Sequence, residues 1–153
     1  MEKVTVFLGG TCADSTWRDE LIPMLGENIE YYNPVVPDWN EEAREREKMH
    51  RKEDDICLYT ITPEGTGFYS FVEVTDDSNK RPARTVLCLL MEANGKRFEG
   101  HMEKCALQTA ALVSDNGATV VTSLEELADY LNSFEKEPKQ IDINKIMKKK
   151  RDE

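Results

Sequence analysis

The sequence predicts an α/β protein with a flavodoxin-like three-layer fold, built on a five-stranded parallel sheet in the order 2-1-3-4-5. Three observations lead there. Continuous apolar runs of strand length alternate with helical patterns along the chain, as strands buried on both faces require. Glycine and proline punctuate the runs where strand passes to loop. The 153 residues, 39% apolar and 33% charged, suit one core. We divide the chain into a domain over residues 1–135 and a polar tail or interface arm over 136–153.

The elements follow in order. Val4 to Leu8 reads as a buried strand ended by Gly9-Gly10, and Ser15 as the cap of a helix from Thr16 to Leu25, closed by Gly26. Ile29 to Val36 suggests a second strand, stopped by Pro34 and Pro37, and Asn40 caps a strongly charged helix through Glu53. Ile56 to Ile61 is the third strand, Gly65 to Ser78 a loop and helix, and Thr85 to Met91 a fourth strand. Phe98 to Val113 carries apolar residues at helical spacing, Ala118 to Val121 is the fifth strand, and Ser123 with Glu126 opens the last main helix as a capping box, running to Phe134. The stretch Ile141–Met147 is amphipathic and suits either an interface or a frayed tail.

The formal net charge is −10, which repels phosphodiester backbones and disfavours nucleic-acid binding. The basic run Lys148–Arg151 reads as a solvated end. No apolar run approaches the roughly 20 residues of a membrane span, and the N-terminal apolar segment is too short for a signal peptide, so the expectation is a cytoplasmic protein without membrane contact. Four cysteines and two histidines form no metal-ligand spacing, and no metal or cofactor is expected. Cys57 and Cys88 sit in strand patterns and read as buried, while Cys12 sits in a loop.

In a parallel sheet of this order, ligands bind beyond the carboxyl ends of the strands, where the order reverses between strands 1 and 3. Two glycine-bearing loops fall there. In the first, Gly9, Gly10, Thr11, Ser15 and the following helix N-terminus offer backbone donors, and Arg18 adds a candidate donor for a phosphate or carboxylate. A tight strand-to-helix turn with a surface arginine explains that segment equally well. The second loop, Pro63-Glu64-Gly65-Thr66-Gly67, leads through Ser70 to Glu73, an acid flanked by Phe71, Val72 and Val74. A carboxylate there is paired, functional, or exposed on the outer helical stripe. Trp17 and Trp39 are candidates to stack on a base, although anchoring a helix to the core is the commoner role of tryptophan.

The stretch from Asp55 through Pro63 and Glu64 to Glu73 resembles the nucleoside 2-deoxyribosyltransferases. The segments FLGGTCADSTWR, YNPVVPDW and ITPEGTGFYSFVEVTDDSNKRP are similar to the deoxyribosyltransferase-like subgroup, over roughly residues 4–90. The resemblance implies a flavodoxin-like fold, a nucleoside or nucleotide and a free nucleobase as small-molecule partners, a homo-oligomer, and Glu73 as a covalent nucleophile. Departure of a base calls for a second acid, with Asp38 the first choice and Glu47 and Glu64 the others. The chain departs from the family at Gly67, where an acid is usual, and at Phe7, where an aromatic hydroxyl is common. Three readings stand side by side: a transferase exchanging bases between deoxynucleosides, a nucleoside 5′-monophosphate N-glycosidase, and a non-catalytic nucleotide-binding domain. A phosphate or a bare 5′-hydroxyl in the Gly9–Arg18 loop separates the first two, and the lack of Lys or Arg between Gly9 and Thr16 leans toward the hydroxyl.

Overall fold

Strand β1, Val4–Gly10, is an inner strand whose side chains have apolar partners on both sides. Val4, Val6 and Leu8 enter one core layer with Trp17, Leu21, Leu127 and Leu131. Phe7 enters the other with Tyr59, Val74, Ala106 and Val113. The computed structural model describes residues 2–12, 14–65, 67–136 and 143–151. Ala13, Thr66, Pro138 and residues 141 and 142, on which parts of the loop and tail readings fall, lie outside the described residues.

The sheet runs β2-β1-β3-β4-β7, all parallel. Its other strands are β2 (Ile29–Tyr32), β3 (Ile56–Ile61), β4 (Thr85–Leu89) and β7 (Thr119–Val121). This is the predicted order, with the fifth core strand numbered seven because a small antiparallel hairpin, β5 (Glu92–Ala93) and β6 (Lys96–Arg97), intervenes. The helices are α1 (Trp17–Leu21), α2 (Glu41–Glu53), α3 (Tyr69–Lys80), α4 (Gly100–Asp115), α5 (Leu124–Asn132) and α6 (Ile143–Arg151). Trp17 and Leu21 of α1 join α5 under one face, while α3 and α4 supply Val74, Ala106 and Val113 to the other. Among the described residues no helix is long and apolar enough to cross a membrane.

Several boundaries differ from the sequence reading for local reasons. The first helix is short, because Pro23 lacks an N–H and the chain tightens into a 3₁₀ turn over Ile22–Met24. Its N-cap is Thr16, and the Ser15 hydroxyl is engaged elsewhere. The second strand stops at Tyr32, after which Asn33 Oδ1 accepts the Val35 N–H at 3.0 Å in an Asx turn. The hairpin takes the residues after Leu89 and delays the next helix to Gly100. Asn40 and Ser123 do cap their helices, accepting from the Ala43 and Glu126 N–H groups at 2.8 and 3.1 Å. The tail region carries α6, with Ile143, Ile146 and Met147 exposed along it. Burial pushes the Cys57 and Cys88 thiols up to about 12, which suits inert core positions.

At the end of β1 the backbone comes hard against β3. Gly9 and Gly10 pair with Tyr59 and Thr60, and the Thr11 N–H donates to the Thr60 carbonyl at 2.9 Å. Gly10 adopts φ +120, and a Cβ there would collide with the Thr60 backbone. Gly10→Ala is therefore expected to lower unfolding free energy by about 3 kcal/mol, combining a positive φ with an overpacked contact, as read by urea denaturation. A loss under about 0.5 kcal/mol means that the register at the end of β1 is looser than described.

Candidate active site

A cavity of about 570 Å³ opens beyond the carboxyl ends of β1, β2 and β3, at the reversal of strand order. Four segments wall it. The end of β1 and the loop after it give Gly9, Gly10, Thr11 and Cys12, and the β2–α2 loop gives Pro34, Val35, Val36 and Trp39. Glu47 comes from α2, and Gly65, Gly67, Tyr69, Ser70 and Glu73 from the start of α3 and the loop before it. Phe7 and Arg18 complete the described lining.

Glu73 stands one turn into α3, with its side chain 17% exposed. Burial raises its carboxyl above the ordinary glutamate range; Arg51 opposes the shift, and the carboxylates of Glu47 and Asp77 add to it. Beneath it lies a buried ionic network. Asp77, one helical turn further along α3, is fully buried and accepts hydrogen bonds from Tyr59, Arg81 and Arg51. The Arg51 fork is bidentate on it, Nε to Oδ2 at 3.1 Å and Nη2 to Oδ1 at 3.2 Å, while Nε also reaches the Tyr59 hydroxyl at 2.9 Å. Nη1 faces Glu73 Oε2 at 3.8 Å. Burial would raise the Asp77 carboxyl, but the Tyr59, Arg81 and Arg51 hydrogen bonds prevail and hold it below the usual carboxylate range.

The structure sorts the sequence candidates into two groups. Gly9, Gly10, Thr11, Arg18, Trp39, Glu47, Gly67, Ser70 and Glu73 share the cavity, whereas Ser15, Trp17, Asp38 and Glu64 are not part of its lining. Trp17 is 1% exposed and donates its indole N–H to the Thr11 carbonyl at 2.8 Å, so it anchors the loop from the core side. Arg18 is buried with it; its guanidinium donates to the carbonyls of Leu8 at 3.0 Å and Thr11 at 2.8 Å. That arginine braces the loop instead of standing free for an anion. Glu64 accepts the Ser15 hydroxyl and the Asn94 amide, each at 2.7 Å, and so ties both glycine loops to the hairpin turn. Although burial pushes the other way, those bonds hold the Glu64 carboxyl low. Asp38 lies exposed in the β2–α2 loop.

The sequence alone does not single out Arg51, Tyr59 or Asp77. Arg51 is one of several cations on a charged helix, and only its spacing of four from Glu47 marks the two as sharing a helix face. Asp77 follows Glu73 at the same spacing. The hairpin also had a signal, Asn94-Gly95, whose φ values of 50 and 80 are those of a tight two-residue turn. Asp55 sits at the opposite end of β3 from the cavity. It accepts from the Thr5 N–H at 2.8 Å and pairs with Lys136 Nζ at 2.9 Å, so it secures the sheet and not the site.

Taken together, the fold and site define a parallel three-layer α/β protein that presents a half-buried carboxylate at the order reversal of its sheet. Residues 3–63 match the family described as nucleoside 2-deoxyribosyltransferase like. The resemblance is thereby shown over β1 to β3 and the start of the following loop; Glu73 lies beyond the matched stretch. A crystal structure of a conserved protein from Enterococcus faecalis V583 is similar in fold, with 13% identity and a TM-score of 0.52, covering 84% of this chain and 97% of that one. No curated protein matches the sequence.

Asp77→Asn is expected to cost about 3–5 kcal/mol, because it leaves two arginines and a buried tyrosine hydroxyl facing a neutral amide. The sign with pH follows from the lowered carboxyl. Its contribution is complete above the unfolded aspartate value, about 3.9, and is lost as pH falls through the lower folded value. Acid titrations of unfolding free energy should therefore be flatter in the variant below pH of about 4; an identical slope in both proteins would count against the network.

Proposed function

We propose that the chain cleaves the N-glycosidic bond of a nucleoside through a glycosyl ester on Glu73 and passes the sugar to another base. The observation that carries this reading is the placement of the Glu73 carboxylate on the cavity wall, with the Gly9–Gly10 loop on the same cavity and Arg51 behind it. The family match over residues 3–63 supports the substrate class. In the first step a Glu73 oxygen attacks the anomeric carbon, and the C–N bonding pair leaves with the base, which gains a proton. In the second step an incoming base attacks the same carbon from the other face, loses its proton, and frees the carboxylate. Water in that place gives hydrolysis.

Glu47 suits the proton-handling role better than Asp38. It projects from α2 into the same cavity and lies close enough to Glu73 to act on its charge, whereas Asp38 is solvent-exposed outside the lining. A 5′-hydroxyl suits the first loop better than a phosphate, because Arg18 is the lining cation among the described residues and is bonded to backbone carbonyls. Trp39, 62% exposed at the cavity mouth, presents a ring on which a base can stack.

Incubation with deoxyinosine, with and without adenine, followed by chromatography, tests this directly. Deoxyadenosine should appear only with adenine, and Glu73→Gln should lower turnover by on the order of 10³-fold or more. Glu47→Gln should lower it by about 10²–10⁴-fold, and Asp38→Asn by no more than a few-fold. Because the nucleophile must be ionised and burial raises its carboxyl, the rate should climb with pH through the Glu73 titration. Turnover retained in Glu73→Gln sinks the covalent mechanism.

A further inference from the structure

We propose that Arg51 is the positioning residue of this site: locked from behind by Asp77 and Tyr59, it presents its one remaining nitrogen to Glu73 and thereby fixes where that carboxylate points and what charge it carries. The geometry supports this in three ways. The Nε–Nη2 edge of the guanidinium is consumed by the bidentate contact with Asp77, which is fully buried. A planar fork held on two atoms has no freedom to swing, so the place of Nη1 is set by Asp77 and not by solvent. The Nη1 nitrogen then lies 3.8 Å from Glu73 Oε2, within reach for a charge effect yet longer than a hydrogen bond, and Glu73 lines the cavity.

The charges around Glu73 make such a residue necessary. From α2, Glu47 faces it with like charge and Arg51 with opposite charge, one helical turn apart. From α3, Asp77 adds a further negative charge, and Asp76 lies 3.7 Å from Arg51 Nη2. Tyr59 of β3 meets Arg51 from below, and Arg18 of α1 borders the cavity with its donors bonded to carbonyl oxygens. Arg51 is thus the one cation among those groups placed against Glu73 itself. Without it, burial and two neighbouring carboxylates all act to protonate the nucleophile.

The effect on turnover rests on the proposed reaction of Glu73, but the effect on its charge does not, and the experiment separates the two. The Glu73 carboxyl is followed by carbon NMR of side-chain-labelled glutamate, assigned with Glu73→Gln, in the wild type, Arg51→Gln and Arg51→Lys. Arg51→Gln should move the Glu73 titration upward by about one unit or more, and Arg51→Lys should bring it most of the way back. The lysine, a point charge without the fork, should still lower kcat by about tenfold with KM little changed. A Glu73 titration at the same pH in Arg51→Gln as in the wild type overturns the inference. If the glutamine variant does not fold, an Arg51→Lys protein with wild-type kcat overturns it instead. Absence of N-glycosidic turnover in the wild type rejects the proposed reaction and leaves the titration result to stand for Arg51.

Discussion

The site depends on one buried charge, the Asp77 carboxylate. Taking an ion of this kind out of water costs several kcal/mol even after relaxation, and only a complete set of donors offsets the cost. Those donors come from three elements: Arg51 from α2, Tyr59 from β3, and Arg81 just past the end of α3. Satisfying Asp77 therefore fixes how α2 and α3 stand over the sheet. Glu73 lies one turn before Asp77 on α3, and Glu47 one turn before Arg51 on α2. The same contact that meets the needs of the buried acid thus brings the two cavity carboxylates to face each other.

A second constraint acts on the opposite wall. The β1–α1 loop must leave the sheet beside β3, and the backbone contact of Gly10 with Thr60 allows no side chain. The glycines at this wall of the cavity are thus already required by the neighbouring strand. Trp17 and Arg18 then hold the loop by its own carbonyl oxygens, and the Thr11 hydroxyl accepts the Thr62 N–H at 2.8 Å, linking the two glycine loops. Side chains that resemble ligand contacts in the sequence are consumed in building the surface that a ligand would meet.

This explains what was legible beforehand and what was not. The sheet order was legible because apolar continuity and strand–helix alternation are local patterns repeated five times. The cavity was legible because two glycine-bearing loops must meet at the order reversal once that sheet order is accepted. The fate of Trp17, Arg18 and Glu64 was not, since an aromatic, a cation or an acid near a site has the same letter whether it points inward or outward. Asp38 and Glu47 exchanged rank for a related reason. Sequence places Asp38 just after strand 2 and Glu47 on the charged helix, but only the way that helix packs brings Glu47 to the cavity while Asp38 stays in solvent. Arg51 was hidden among the cations of an ordinary charged helix, and its partner Tyr59 among the apolar residues of a buried strand.

The family match ends at residue 63, just before the loop that leads to Glu73, so the case for Glu73 as the proposed nucleophile rests on geometry from there onward. That geometry also bears on the departures at positions 7 and 67. Phe7 offers no hydroxyl to the cavity, and Gly67 offers no carboxylate, with open space where a Cβ would stand. In the proposed reaction an acid from this chain would then come from another segment, and α2 is the element that the Asp77 network holds in place. Glu47 lies on α2 one turn from the anchored Arg51, so it inherits a fixed position without needing partners of its own. Glu47 and Glu73 are in this way referred to the same buried carboxylate, because the helices that carry them are joined through the Arg51–Asp77 contact.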